Sequence, residues 1–594
     1  MFNFKMVFAL VLTGVSLSMS IGQRTVTFHL DATGIKDNSI VGIRGNTSPL
    51  KWDKSLKMRR NTDNYSIEIS FDESVSTIEF KYVIEKKKDV QWEYTENRVL
   101  NLDDSKDTSL YHTMNYIEVD IDNLEPLSTD QMLKDFALVK RIILDVHPGT
   151  YRYRTKEEIE NILDELQNTL KSERSIGAFY LTLSKLLAYI QCDHTFVSYY
   201  NQNSTIKTVI HRQKDKLPFT FKWVGDAMVV LKDASPEKIK RGTVITKIDG
   251  VSVSKIKDSL MDYIRADGAN NSSRMAQLEI KGYQFRYDGF DVFYPLLFPS
   301  SKSTFELEAN YKGENFVLHV PKITRIERSK ILKQRFTDHP VSREDLWDFA
   351  KLSDGVSYLK MGSSTFFNDS FEWKEYLKNV FKEIRKGKSK NIIIDIRENE
   401  GGLDAISEEL VKYMLKGSPQ SSEFISKSRY LKFPESIKPF ISSWGDPWYF
   451  DLQDKEYTKD GDYYSFQESE NLESHDHKIS KKLKADIYLL VSPINTSAMF
   501  YLTKFFKEHQ LGTLIGQETA GNLNGINGGQ ILFLELPNSG LTIDFPVIGS
   551  FSSTKMENKG ISPDILVSAS LRDIQNGKDI ELETALSIIE SRSQ

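Results

Sequence analysis

Asn391-Ile392-Ile393-Ile394-Asp395-Ile396-Arg397-Glu398-Asn399-Glu400-Gly401-Gly402 is the stretch that decides the fold of the C-terminal half. The run from Asn391 to Ile396 reads as a strand of an α/β layer with parallel strands. The charged turn after it ends in two glycines, and a helix begins near Asp404. Such strand-to-helix turns lie beyond the carboxyl ends of parallel strands, where α/β layers place their chemistry. Two glycines there let the backbone approach a ligand closely and leave N–H groups pointing outward, which suits an oxyanion. A purely structural turn is the competing reading of the same residues.

Working outward, strands and helices alternate from about 345 onward: 391–396 then 405–415, 485–491 then 497–508, then 511–516. The second strand runs into Pro493-Ile494-Asn495-Thr496-Ser497-Ala498, and a helix follows at once. A serine at that position commonly does no more than cap its helix. Taken with the Gly401-Gly402 turn and the later Gly516-Gln517-Glu518-Thr519-Ala520-Gly521, however, the order and spacing resemble the catalytic domain of the C-terminal-processing (tail-specific) and tricorn-core serine peptidases. The likeness covers about 345–570 and extends weakly upstream.

The resemblance implies a crotonase-like α/β catalytic domain over 323–570, followed by a C-terminal helix over 571–594. It makes Ser497 the nucleophile and builds an oxyanion hole from the backbone N–H groups of Ala498, Gly401 and Gly402, donors placed where negative charge develops. In the processing branch of the family the base is a lysine in a Thr-x-Gly-Lys segment. Here that segment reads Thr519-Ala520-Gly521-Asn522, and Asn522 cannot take a proton. The tricorn-like branch uses an upstream histidine and a late glutamate instead. His194, within Asp193-His194-Thr195, resembles the first, and Glu557, within Glu557-Asn558-Lys559-Gly560-Ile561-Ser562-Pro563-Asp564, resembles the second. His194 is then the general base and Glu557 the carboxylate that orients it, directly or through a relay hydroxyl. Asp193 stands where the tricorn pattern has a serine.

Upstream, 206–322 reads as strands again. Gly242-Thr243-Val244-Ile245-Thr246-Lys247-Ile248-Asp249-Gly250 resembles the signature of a PDZ domain, a buried strand leading into a tight Asp-Gly turn, with 258–300 as an insertion. A PDZ-like domain would hold an extended peptide by strand addition. Residues 119–205 have helical periodicity, with Ser128 and Gln131, then Thr155 and Glu158, spaced as capping boxes. The aromatic stretch 425–478 has weak periodicity and is read as a wrap or cover for the site.

Residues 23–118 alternate with period two, as in Val26, Phe28, Leu30 and Ile78, Phe80, Tyr82, which predicts a small β-sandwich. The segment from Thr25 to Leu102 resembles a starch-binding carbohydrate-binding module of the glucoamylase type, on Gly45 through Asp53, Phe80-Lys81-Tyr82, Trp92-Glu93 and Asn97-Arg98. The resemblance implies that Trp52 and Trp92 stack on sugar rings while Lys81 and Asn97 bond hydroxyls; apolar indole faces suit pyranose C–H faces. A spacer or protein-binding role is the alternative.

The fold class expected is therefore multidomain α+β: a β-sandwich, a helical segment, a PDZ-like domain and an α/β domain. With 594 residues, several cores are needed. A net charge of -5 with interspersed signs argues against nucleic-acid binding. Lys5, the apolar run from Met6 to Leu17 and the small and polar residues up to Gln23 read as a signal peptide over 1–22, hence a secreted or periplasmic protein without a transmembrane segment. The single cysteine, Cys192, rules out an intramolecular disulfide and is read as buried filler. His475 and His477 lack further ligands at useful spacing, so no metal and no cofactor is expected. Two functions remain: a peptidase acting on peptide or protein substrates, and a catalytically inactive peptide- or glycan-binding protein, since the same fold occurs in non-peptidase retinoid carriers.

Overall fold

The computed structural model describes residues 23–31, 40–60, 64–86, 89–93, 97–102, 107–113, 124–353, 355–367, 371–414, 424–443, 448–466 and 483–593. The expected signal peptide (1–22) and His475 and His477 lie outside these residues. The chain divides into two units, Met1–Asp122 and Asn123–Gln594.

In the N-terminal unit, Gln23–Asp31 pairs antiparallel with Asn64–Asp72 and parallel with Asp107–Thr113. A second sheet is built on Thr77–Lys86, which pairs with Ile40–Gly45, Asp89–Trp92 and Arg98–Asn101. The period-two pattern sends Val26, Phe28 and Leu30 of one sheet and Phe80, Tyr82 and Ile84 of the other into one shared core. Lys81 and Val83 therefore fall on the outer face of the second sheet, opposite Arg44 and beside Trp92.

The second unit opens with helices Thr129–Arg141, Lys156–Thr169 and Ile176–Tyr189, the first two carrying complete capping boxes at Ser128/Gln131 and Thr155/Glu158. An antiparallel sheet follows, from strands Phe219–Val224, Ala227–Asp233, Val244–Ile248, Thr304–Tyr311 and Glu314–Pro321. Its Asp249-Gly250 turn joins the facing pair Ile248 and Val251, and both turn residues have positive φ, 48° and 78°. That is the two-residue hairpin the sequence predicts. The stretch expected as an insertion contains helices Asn271–Gln277 and Gly289–Leu297. Helices, sheet and insertion share one core with late strands of the chain: Phe179, Leu183, Phe219, Phe290, Leu532 and Phe545 belong to the same buried cluster. The borders expected at 205 and 322 therefore mark changes of secondary structure within a common core. Of the stretch expected to wrap the site, strands Phe424–Ser428, Ile441–Ser443, Tyr457–Asp460 and Tyr463–Phe466 join Gly529–Glu535 and Thr542–Ser552 in an antiparallel sheet.

The α/β layer has strand order Trp347–Ser353, Val356–Met361, Asn391–Asp395, Asp486–Val491, Thr513–Gly516, Ile565–Leu566. Its first pair is antiparallel and the rest are parallel. Ile392 and Ile394 pack on one face with Leu489, Met499 and Leu502, while Ile393 packs on the other with Tyr488, Ile515 and Ile589. The isoleucine run is thus buried on both sides. Arg397 ties the C-terminal helix Ile580–Ser593 to the end of its strand through Asp395 at 2.6 Å, Asp579 at 2.7 Å and Glu581 at 3.3 Å. Among the described residues no helix is long and apolar enough to cross a membrane, and no three His, Cys, Asp or Glu side chains group as a metal site.

Candidate active site

Neighbouring parallel strands, paired Asp395 to Leu490, deliver the two turns that matter to the same end of the sheet. Ser497 heads the helix Ala498–Glu508 with φ 53° and ψ -128°, and its side chain makes no capping hydrogen bond. The simple capping role is therefore absent. A non-glycine residue in this region of backbone space is strained, by about 1–3 kcal/mol, and persists only where its surroundings hold it. Sharp strand-to-helix turns of this kind expose a nucleophilic hydroxyl.

Gly401 explains how the second turn approaches the first. Its φ is +100°, and a Cβ added there would lie 2.8 Å from Ser497 Cβ and 3.2 Å from Ala498 N. Only glycine fits between. At Gly402, φ +136°, an added Cβ would meet the Ser364 carbonyl at 2.3 Å. Two asparagines that the sequence reading did not single out hold the pair of turns. Asn399 accepts from Gly401 N–H at 3.0 Å and donates to the Met361 carbonyl and to Ser364 Oγ, each at 2.9 Å. Asn495 donates to the carbonyls of Ile396 at 2.6 Å and Asn399 at 2.8 Å, crossing from one turn to the other. The signal available was an Asn in each turn, since these side chains bond nearby backbone and stabilise turns.

This geometry corrects one expectation. Gly401 N–H is already used by Asn399, so it is not an oxyanion donor; what Gly401 supplies is the absence of a side chain. Ala498 N–H and Gly402 N–H make no hydrogen bond among the described residues. They remain as the candidate donors, at a helix N-terminus where the backbone dipole also favours negative charge.

His194 is placed by a different part of the fold. Directly after it, Phe196–Val197 pairs with Thr542–Ser552. Its ring lies against Gly528, where an added Cβ would meet Cε1 at 3.0 Å and Nε2 at 3.1 Å. The loop carrying Gly528 also touches the helix headed by Ser497, since Ile526 packs with Phe500 and Tyr501. His194 Nδ1 is buried without a hydrogen-bond partner. Burial holds the imidazole below its ordinary value of 6.5, Asp193 opposes that and Arg265 adds to it, so the ring is neutral at neutral pH. The Asp193 carboxylate receives Gln277 Nε2 at 3.2 Å and Arg265 Nε at 3.4 Å. Cys192 is fully buried, and burial pushes its thiol up to about 12, which keeps it a protonated filler.

Glu557 does not join this group. Its side chain is 71% exposed and ion-paired with Lys559. Asn524, which donates to the Glu557 carbonyl at 3.2 Å, fixes the local backbone. A solvated carboxylate beside an ammonium loses no hydration, and nothing draws it inward. No hydrogen bond links it to His194 among the described residues.

In the N-terminal unit the two tryptophans do meet. Trp52 and Trp92 are half-buried, with ring centroids 6.0 Å apart at 45°. Arg44, which the sequence reading missed, stands 5.1 Å over Trp92 and donates to the Trp52 carbonyl at 2.9 Å. Asn97 is exposed and donates to Glu79 at 3.2 Å, and Lys81 is half-buried on the same outer face as Arg44.

Comparison with known proteins finds a match for a segment in each of the two units. Residues 356–567 match the family model for peptidase family S41, and residues 23–111 match that for the starch binding domain. A putative tricorn-like protease C-terminal subunit from Sulfurisphaera tokodaii is 38% identical over 84 residues, which is 14% of this chain and 10% of that protein. Among solved structures, mature CPAF complexed with lactacystin is similar with a TM-score of 0.54 at 14% identity, covering 77% of this chain and 97% of that one. Mature CPAF alone gives 0.51 at 14% identity, with 75% and 94% covered. At these identities the likeness is one of fold, and it runs well beyond the α/β layer. The chain thus joins a starch-binding-type domain at its N-terminus to a peptidase S41 domain in its C-terminal half.

Proposed function

We propose that the protein is a secreted or periplasmic serine peptidase in which Ser497 is the nucleophile and His194 the general base. The observation that carries this is the strained Ser497, free of a capping bond, with Gly401 pressed against it. Ser497 Oγ attacks the scissile carbonyl carbon while its proton passes to His194. Negative charge develops on the carbonyl oxygen and is met by Ala498 N–H and Gly402 N–H, each such donor being worth about 3 kcal/mol. The C–N bond then breaks, the amine leaves with the proton from His194, and water repeats the sequence on the acyl-enzyme. The α/β layer is read as crotonase-like and the sheet of 219–321 as PDZ-like, presenting an extended chain by strand addition. Glu557, in its exposed position, has no part in the transfer.

A fluorophosphonate probe is expected to label Ser497 in the full chain, and labelling is expected to drop sharply in His194→Ala. One observation favours the second reading, a peptide- or glycan-binding protein without catalysis: the imidazole that should be oriented by a carboxylate has an unpartnered Nδ1. Folded wild-type protein that takes no label would decide for that reading.

For the N-terminal domain we propose α-glucan binding on Trp52 and Trp92, with Lys81 and Asn97 at the rim. Arg44 underpins the tilt of the two rings. Trp52→Ala is expected to weaken retention on an α-glucan column, and equal retention of variant and wild type would point to a spacer.

A further inference from the structure

The two glutamates that flank Asn399 are each held by a side chain from the insertion of the upstream sheet. Tyr283 Oη donates to Glu398 Oε2 at 2.6 Å. Arg286 forms an ion pair with Glu400 and reaches the Glu398 carbonyl through Nη1 at 3.4 Å. Both holders are only 8% exposed. They are fixed in turn: Arg325 donates to the carbonyls of Arg286 and Tyr283. Lys360 Nζ stands 3.7 Å from Glu398 Oε1 on the far side.

Because Glu398 and Glu400 alternate with Asn399, the turn is gripped from two directions. Asn399 binds inward to the α/β layer, while the glutamates bind outward to Tyr283 and Arg286. A buried arginine paired with a carboxylate is a poor source of stability, since desolvation offsets most of the attraction, yet it fixes geometry well. The geometry at stake is that of Gly401 and Gly402, where there is no slack: the first touches Ser497 and the second touches Ser364. We infer that Tyr283 and Arg286 are positioning residues for the oxyanion turn, keeping Gly402 N–H in register with Ser497 through Glu398 and Glu400. The insertion is thereby part of the machinery that sets the rate, although it supplies no group that touches substrate.

The inference rests on the peptidase reading, so the test follows fluorophosphonate labelling of Ser497 in the full-length chain together with kcat and KM on a peptide ester. Glu400→Gln keeps the side-chain volume at a partly exposed position, and Tyr283→Phe removes one hydroxyl, so both variants preserve packing. Each is expected to lower the labelling rate and kcat roughly tenfold with KM unchanged, because displaced donors weaken the transition state and not ground-state binding. Arg286→Gln is expected to act alike, and the Arg286→Gln, Glu400→Gln double variant to lose no more than either single, since both remove one link. Wild-type rates in Tyr283→Phe and Glu400→Gln, or losses that multiply in the double variant, would overturn the inference while leaving the peptidase reading intact. A wild-type chain that takes no label would overturn both.

Discussion

Ser497 stands in a turn whose neighbours are tied from several sides: Asn495 bridges to the adjacent turn, Asn399 fixes Gly401, and Tyr283 and Arg286 grip the flanking glutamates. His194 is held quite differently, by the pairing of the short strand after it and by the flat surface of Gly528, with its Nδ1 unpartnered. The contrast follows the demands of the chemistry. Oxyanion stabilisation depends on donor positions within a few tenths of an ångström, whereas an imidazole can swing into reach when substrate arrives, and hydrogen bonds at such sites are often long without it. The Ser497 half is built on strand ends of one sheet, and His194 is brought by another part of the chain.

That comparison is open to direct attack. The largest effects belong to Ser497→Ala and His194→Ala, each expected to lower kcat on a peptide ester by about 10⁴-fold or more, with the double variant no worse than the singles. Independent, multiplying losses would separate the two residues into different functions. Next is Gly401→Ala, where the added methyl collides with Ser497 and the left-handed backbone is strained, so a fall of roughly 10²- to 10³-fold in kcat is expected, comparable to losing one oxyanion donor. Retained activity in this variant would mean that the turn is not rigid.

The pH profile sharpens the other half. Burial disfavours the imidazolium of His194, and a general base must be neutral, so kcat/KM is expected to rise with pH along an acid limb whose midpoint lies below 6.5, then to stay level through neutrality. A midpoint above 7 would place the ring next to a carboxylate, as in a coupled triad. The smallest effect is expected for Glu557→Gln, within about twofold in kcat, because an exposed charge paired with Lys559 contributes little. A hundredfold loss would show that the loop folds inward during turnover and would restore the glutamate to the set that serves His194.

Several features were legible without coordinates because they depend on neighbours in the chain. The run from Asn391 to Ile396 announced a parallel strand, two capping boxes fixed helix starts, and Asp249-Gly250 announced a two-residue hairpin. The turns at Gly401-Gly402 and Ser497 were singled out through resemblance, and their local geometry follows from φ values that only glycine or a strained residue adopts. What could not be read was which polar atoms are already occupied. Gly401 N–H has the same sequence context whether or not Asn399 turns back to take it, and Glu557 has the same neighbours whether it faces His194 or water.

The sequence by itself thus determined the order of the elements, the two family signatures and an asparagine, Asn522, where the processing branch has its lysine, all consequences of local pattern. Tertiary structure alone decided that Tyr283 and Arg286 reach the Glu398–Gly402 turn across more than a hundred residues, that Arg44 stands over Trp92, and that one core joins the helical and antiparallel segments. The physical reason is that hydrogen bonds and ion pairs between distant segments form only where packing brings their partners within reach, and packing is a property of the whole fold.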